Sequence, residues 1–354
     1  MKWSYPIARV SGIELKVHAT FLLLLVFVAW MYWQSGGAAA ALFGVAFILL
    51  LFLCVLLHEF GHAFAARYFG IRTPDITLLP IGGVARLERM PENPMQELIV
   101  AVAGPAVNVV IAMVLWFVLG MPMGQRDLLD FEIQGGGLAQ RILQVNVMLV
   151  VFNLIPAFPM DGGRILRALL GMKFDHQRAT MVAARVGQVI AVGFVIVGFF
   201  DNLFLIFIGL FVFSGAQQEL RYAKFRSAVA QSRVSDAMIS RFQSFAGSVD
   251  VADAAADAAK DSQPIFPVTD DRLRVTGMVS RKDLLARASE GRAARVSEIA
   301  RVVPTVPATA GFGDAFALMQ SSGNSVLPVV NPGGQVVGLV SLQLLSRRTG
   351  VASA

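Results

Sequence analysis

His58-Glu59-Phe60-Gly61-His62 closes an apolar run, 38–57, that contains no charged side chain. A run of that length is enough to cross a bilayer as one helix. Two histidines four residues apart share one helix face, so both rings can reach a single Zn²⁺. The glutamate between them can then act as a general base on water. The whole chain has only 4 histidines, which makes a chance pairing at this spacing improbable. The competing reading is a pair of core histidines on a buried helix.

The composition around this motif sets the class. The chain is 56% hydrophobic and 15% charged, with a mean hydropathy of +0.64. Soluble domains carry about 25% charged residues. The chain therefore reads as a polytopic α-helical membrane protein with a soluble appendage. Its net charge of +6 comes with no basic-aromatic patch, which argues against nucleic-acid binding. Cys54 is the single cysteine, so no intrachain disulfide can form, and it reads as a small buried apolar residue. Lys2 and Arg9 precede an apolar stretch, but no small-residue cleavage site follows, so a cleavable signal peptide is not expected.

Length and lack of charge give about six transmembrane helices, near 17–33, 38–58, 97–120, 142–159, 186–200 and 202–219. Asp201 and Asn202 mark a tight hairpin between the last two. Trp30, Tyr32 and Trp33 read as an interfacial belt ending the first. Basic residues cluster before span one, in 59–96, in 160–185 and after span six. The alternate connections are poor in them: 34–37 has none, and 121–141 sets Arg126 and Arg141 against Asp127, Asp130 and Glu132. By the positive-inside rule the basic side is the cytoplasm, with both termini on it. The expected location is the cytoplasmic (inner) cell membrane, multi-pass, with His58 and His62 near the cytoplasmic end of span two.

A catalytic zinc usually takes three protein ligands plus water. The candidate for the third is Asp161, which lies between a proline-broken apolar helix and Gly162-Gly163. An ionisable residue near membrane depth is a functional candidate by default. An ordinary helix N-cap is the alternative. Asn153 could donate to a substrate backbone or a developing oxyanion, or could simply bond another helix. Asn108 and Asn146 read as inter-helix contacts, His18 as structural and His176 as solvated. Residues 76–87 read as a β-hairpin turning at Gly82-Gly83, whose edge could pair with an extended substrate. A structural re-entrant loop is the other reading of that segment.

The texture changes near residue 227. Short β-like strings alternate with alanine-rich helical stretches. Pro267 and Pro328, Gly277 and Gly338, and Ser280 and Ser341 are each offset by 61 positions, which marks an internal repeat. Residues 230–350 are therefore expected to be a small cytoplasmic α/β domain made of two similar halves.

Three segments together resemble the site-2 proteases, which are intramembrane zinc metalloproteases. They are His58-Glu59-Phe60-Gly61-His62, Gly104-Pro105-Ala106-Val107-Asn108, and Asn153-Leu154-Ile155-Pro156-Ala157-Phe158-Pro159-Met160-Asp161-Gly162-Gly163-Arg164. The resemblance covers about residues 1–225. It implies that His58, His62 and Asp161 bind zinc and that Glu59 is general base and acid. It further implies that Asn153, with Pro156 and Pro159 shaping the loop, places the substrate. The hairpin at Gly82-Gly83 matches that family's membrane-associated sheet. The implied activity is hydrolysis of peptide bonds within or next to transmembrane segments of membrane-protein substrates.

The tail, about 230–290 and 292–350, resembles a tandem pair of CBS domains. Ser280 and Asp283 fit the motif that holds the phosphate and ribose of an adenine nucleotide, ATP or AMP. The second half carries Leu344 where that motif has its aspartate. The resemblance implies nucleotide modulation and a homodimer through the CBS domains. No PDZ-like segment is present, so gating by a periplasmic peptide sensor is not expected. A CBS-regulated metal transporter and a catalytically silent scaffold are the alternatives. Both are disfavoured because Glu59 stands where hydrolysis needs a base.

Overall fold

The computed structural model describes residues 3–91, 93–120, 137–291 and 293–341. Most of the acidic connection expected between spans three and four, and the departure expected at Leu344, lie outside them. The chain divides into two compact units, Met1–Leu220 and Arg221–Ala354.

The first unit opens on two strands that the sequence did not signal, β1 (Ser4–Val10) and β2 (Ile13–His18), paired antiparallel. In β2, Ile13 and Leu15 turn inward onto Phe60, Ala63 and Ile76. Glu14 and Lys16 alternate to the other face, as strand geometry requires. There Lys16 reaches Glu14 at 2.8 Å and Asp75 at 3.2 Å. The bonds to Glu14 and then Asp75 hold the lysine ammonium above its usual pKa.

Helix α1 (Ala19–Tyr68) starts at the His18 cap, whose ring Nδ1 accepts from Thr20 N at 3.3 Å. It is broken at Gly36 and Gly37, and Gly37 has φ 67°, a conformation glycine adopts without a Cβ penalty. A straight helix of 50 residues would be about 75 Å long. It could not bring the Phe21 ring within 4.6 Å of the Phe52 ring, or lay Gly44 against Tyr32. The break therefore folds α1 into the two spans expected. The second half runs on to Tyr68 rather than ending at 58, so the His-Glu-x-x-His motif lies well inside a continuous helix.

The expected hairpin is present as β3 (Asp75–Leu79) and β4 (Gly82–Arg86), but it turns at Pro80-Ile81 and not at Gly82-Gly83, which are strand residues paired with Leu79 and Leu78. It is half of a larger sheet of order β1-β2-β3-β4, in which β3 joins β2 in parallel. Five further helices follow. They are α2 (Pro94–Leu119), α3 (Leu138–Leu154), α4 (Asp161–Gly171), α5 (His176–Phe200) and α6 (Leu203–Gln231). α1, α2, α5 and α6 are long and apolar enough to cross a membrane, and α3 is a shorter apolar helix. α5 begins ten residues before the expected span, because Asp175 caps it by accepting from Arg178 N at 2.9 Å. The turn at Asp201-Asn202 is confirmed: Asn202 accepts from Phe204 N at 2.9 Å. α6 continues past the expected end of span six. Phe117, Val189 and Phe200 lie on the outside of these helices, as lipid-facing side chains do.

One buried charge cluster ties the helices together. Arg167 of α4 is 4% exposed. Its Nε donates to Glu97 of α2 at 2.7 Å, its Nη1 pairs with Glu219 of α6, and its guanidinium lies 5.1 Å from the Phe158 ring centre. Arg167 is one of the basic residues of the 160–185 connection, and it is paired on both sides, the arrangement under which a buried charge is tolerated.

The second unit contains two three-stranded sheets. β5 (Phe245–Ala246), β6 (Ile265–Thr269) and β7 (Val275–Ser280) form one, with α8 (Val251–Ala258) and α9 (Arg281–Ser289) packed in the same half, whereas α7 (Val234–Ala237), although it comes before them in the chain, packs into the core of the other half. α10 (Val296–Ile299) packs into the first half, and β8 (Val306–Pro307), β9 (Val326–Val330) and β10 (Val336–Ser341) form the second sheet, with α11 (Phe312–Ser322) beside it. β6 and β9 start 61 positions apart, and so do β7 and β10. The repeat read in the sequence is thus a structural repeat. Each half has its own core, built on Phe266 and Leu284 in the first and on Phe312 and Leu327 in the second.

Candidate functional site

The site grows from the packing of α1 on α2. Gly61 faces α2 so closely that a Cβ there would lie 2.6 Å from Ala103 O and 2.9 Å from Val107. That approach lets the histidines on either side of Gly61 reach the second helix. Val100, Gly104 and Asn108 recur every four residues and form one stripe of α2. His62 Nδ1 lies 2.7 Å from Val100 O, and His58 Nδ1 lies 2.5 Å from Asn108 Oδ1. Gly104 stands between them, and a Cβ on it would come within 2.2 Å of His62 Nε2.

Asp161 completes the cluster from α4. Its Oδ2 lies 3.1 Å from His58 Nε2 and 3.2 Å from His62 Nε2. The cap position of α4 belongs to Met160, and no side chain caps the helix. The reading of Asp161 as an ordinary cap is therefore not what the structure displays. Gly162 follows Asp161 because a Cβ there would lie 2.2 Å from Ile155 O. The start of α4 can pack onto the preceding loop only without a side chain, and this sets the carboxylate facing the histidines.

These three donors suit a metal ion. His58, His62 and Asp161 are all buried, and one ligand atom from each lies within 4.8 Å of the others. The two Nε2 atoms are 3.1 Å apart. Tetrahedral zinc ligands at about 2.0–2.1 Å stand about 3.3 Å from one another. Val100 O can only accept, so His62 carries its hydrogen on Nδ1 and offers Nε2 as a bare lone pair. A buried lone pair aimed at a carboxylate and a second ring nitrogen is costly unless a cation lies among them.

Glu59 occupies the next face of α1. Its Oε2 accepts from Ala85 N of β4 at 3.3 Å. A Cβ on Gly83 would lie 2.7 Å from Glu59 Cγ, so glycine in β4 is what lets the glutamate rest against the strand. A cavity of about 450 Å³ opens there, lined by His58, Glu59, Gly82, Gly83 and Asn153 among others. Asn153 Nδ2 donates to Leu149 O at 2.9 Å, within its own helix. Pro156 and Pro159 lie in the turn before α4, and Gly215 packs on Pro159. They shape that turn and are not among the residues lining the cavity. Ser280 and Asp283 meet in the second unit at the start of α9: Ser280 Oγ accepts from Asp283 N at 3.0 Å, and Asp283 lies 3.6 Å from Arg301.

Sequence reasoning placed Asn108 and Asn146 only as contacts between helices. In the structure Asn108 also touches His58, and Asn146 touches Asn108. The available signal was the Val100-Gly104-Asn108 spacing, which matches the His58-His62 spacing on an antiparallel neighbour.

A family model described as Peptidase family M50 matches residues 46–144 and 136–194. A model described as CBS domain matches residues 296–348. The chain is 36% identical over 239 residues to zinc metalloprotease MJ0392 of Methanocaldococcus jannaschii, covering 67% of each chain. It is 29% identical over 363 residues to the protein named Rip3 of Mycobacterium tuberculosis, covering 96% of this chain and 91% of that one. Among solved structures, the site-2 protease from Methanocaldococcus jannaschii aligns at 37% identity with a TM-score of 0.46, over 62% of this chain and 95% of the other.

Proposed function

The chain belongs to the site-2 protease (peptidase M50) family of intramembrane zinc metalloproteases, and from that premise we propose the roles of its residues and the control of its activity. His58, His62 and Asp161 hold the zinc, and Glu59 moves the protons. The observation that carries this is the convergence of three buried donors beside a cavity that Glu59 also lines. Bound zinc supplies Lewis acidity, making water acidic near neutrality and polarising a peptide carbonyl. Glu59 takes the proton from the attacking water and returns it to the leaving amine as the C–N bond breaks. The substrate is the transmembrane segment of another membrane protein.

A helical segment must unwind before it can be cut, since its carbonyls are hydrogen-bonded along the helix. β4 is the last strand in its sheet and borders the cavity, so an unwound segment can pair along it at Gly82 and Gly83. Asn153, across the cavity, then donates to the substrate backbone, and Pro156 and Pro159 fix the turn that carries Asp161. The test uses detergent-purified protein and a panel of single-span substrates. Cleavage within the span should disappear with a zinc chelator and return with added zinc. Cleavage indifferent to the chelator would remove zinc from the reaction.

We further assign residues 1–225 to the protease and 230–354 to a regulatory CBS pair on the cytoplasmic side, with both termini cytoplasmic and a homodimer formed through the CBS pair. The distribution of basic connections supports the orientation. Digestion of the tail in sealed inside-out vesicles checks it, and protection there would reverse the orientation. Cross-linking of tail cysteine variants checks the dimer, and monomers alone would remove it. Ser280 and Asp283 are the adenine-nucleotide residues, since both lie at one strand-to-helix junction with Arg301 beside them. Asp283→Ala should weaken ATP or AMP binding about tenfold or more, the usual size for losing a charged hydrogen bond. Calorimetry on the purified chain reads this, and equal affinity in the variant would refute the assignment.

A further inference from the structure

Behind the zinc ligands lies a chain of buried amides. Asn108 of α2 and Asn146 of α3 are each 0% exposed. Asn146 Nδ2 lies 2.8 Å from Ile142 O, one turn back on its own helix, and 3.3 Å from Cys54 Sγ. Asn146 Oδ1 lies 2.8 Å from Asn108 Nδ2. Asn108 Oδ1 lies 2.5 Å from His58 Nδ1.

The direction of every bond in this series is fixed by its far end. Ile142 O can only accept, so Asn146 must present its amide nitrogen there. Its oxygen then faces Asn108, which must present its own nitrogen. The oxygen of Asn108 is left for His58, and an acceptor at that point requires the hydrogen on Nδ1. Reversing either amide would set two acceptors or two donors against each other in a buried place, at the cost of an unmade bond. His58 Nε2 is thereby left as a lone pair aimed at His62 Nε2 and Asp161 Oδ2.

We propose that Asn146 and Asn108 form a one-way hydrogen-bond relay, anchored on the Ile142 carbonyl, that holds His58 in its metal-binding tautomer. Asn108 is a positioning residue in contact with a ligand. Asn146 is a positioning residue that acts only through Asn108, from a third helix. The relay explains why two fully buried polar residues sit among apolar helices behind the site. The proposal rests on the zinc reading of His58.

The test combines zinc affinity, measured by competition with a chelator, with the ring-nitrogen NMR shifts of ¹⁵N-histidine protein stripped of metal. With 4 histidines in the chain, single His→Gln variants assign the signals. Asn146→Leu and Asn108→Leu should each weaken zinc binding by on the order of 10–100-fold, the range seen for partners of metal-bound histidine. The double variant should bind no more weakly than Asn108→Leu alone, because the two act in series. Metal-free wild type should show His58 protonated on Nδ1, and Asn146→Leu should show a mixture of tautomers. Unchanged zinc affinity in Asn146→Leu, or additive losses in the double variant, would overturn the relay. So would a wild-type His58 protonated on Nε2, a measurement that needs no variant to fold. A wild type that binds no zinc but keeps the Nδ1 proton would overturn the metal reading and leave the relay standing.

Discussion

Glu59→Gln is expected to abolish cleavage while leaving one zinc per chain. Losing a positioned proton acceptor costs on the order of 10²–10⁴-fold in rate. The expected loss lies toward the upper end, because the same group both takes and returns the proton. The fold gives no reason for the variant to lose its metal. Glu59 lies one residue beyond His58, roughly 100° around the helix, so it faces β4 and not the three converging donors. Glutamine keeps the side-chain length and a carbonyl that accepts from Ala85 N. Packing against Gly83 is likewise unchanged, since it involves the Glu59 Cγ methylene. Metal analysis and single-turnover cleavage of one substrate separate the two properties. A variant that retains zinc and cleaves within tenfold of wild type would remove Glu59 from the proton steps.

The contrast between residues legible in the sequence and those that were not follows from how far each contact reaches. The His58-His62 pair, the break at Gly36 and Gly37, and the repeat in the second unit are local or periodic, and each was readable. The pairing of β2 with β3 was not, because the whole of α1 lies between them. β2 is a short strand whose inward face is settled only where Phe60 and Ala63 of α1 and Ile76 of β3 meet it. In the sequence Arg167 reads only as one of the basic residues of the 160–185 connection. Its burial depends on Glu97 and Glu219 arriving from two other helices, and neither separation carries a spacing signal. Asp161 stood between two readings in the sequence, cap and ligand. Distances to two histidines about a hundred residues away were needed to choose between them.

The same geometry makes Gly104 the position where the smallest addition should do the most damage to the metal site. Gly104→Ala places a methyl 2.2 Å from His62 Nε2, 2.5 Å from His62 Cε1 and 2.7 Å from His58 Nε2. Each distance is below any normal contact, so rings or helices must move. The rings are held from behind by Val100 O and Asn108 Oδ1. The helices are held by Gly61, which already touches Ala103 and Val107. The least resisted response is rotation of the rings away from Asp161, which scatters the three donors. Zinc binding should fall by more than the 10–100-fold typical of changes behind a ligand, because here the ligand atoms themselves are displaced. Stability should respond far less. Alanine favours a helix interior over glycine by about 1 kcal/mol, and overpacking costs about 1–3 kcal/mol, so the two largely offset. The expected outcome is a folded, zinc-free, inactive chain with all three ligands and Glu59 still present. Metal content and the thermal melt of stripped protein measure the two sides separately. Stoichiometric zinc in Gly104→Ala would mean that the histidine rings do not meet where the structure puts them, and the account of Gly104 as the space those rings need would fall with it.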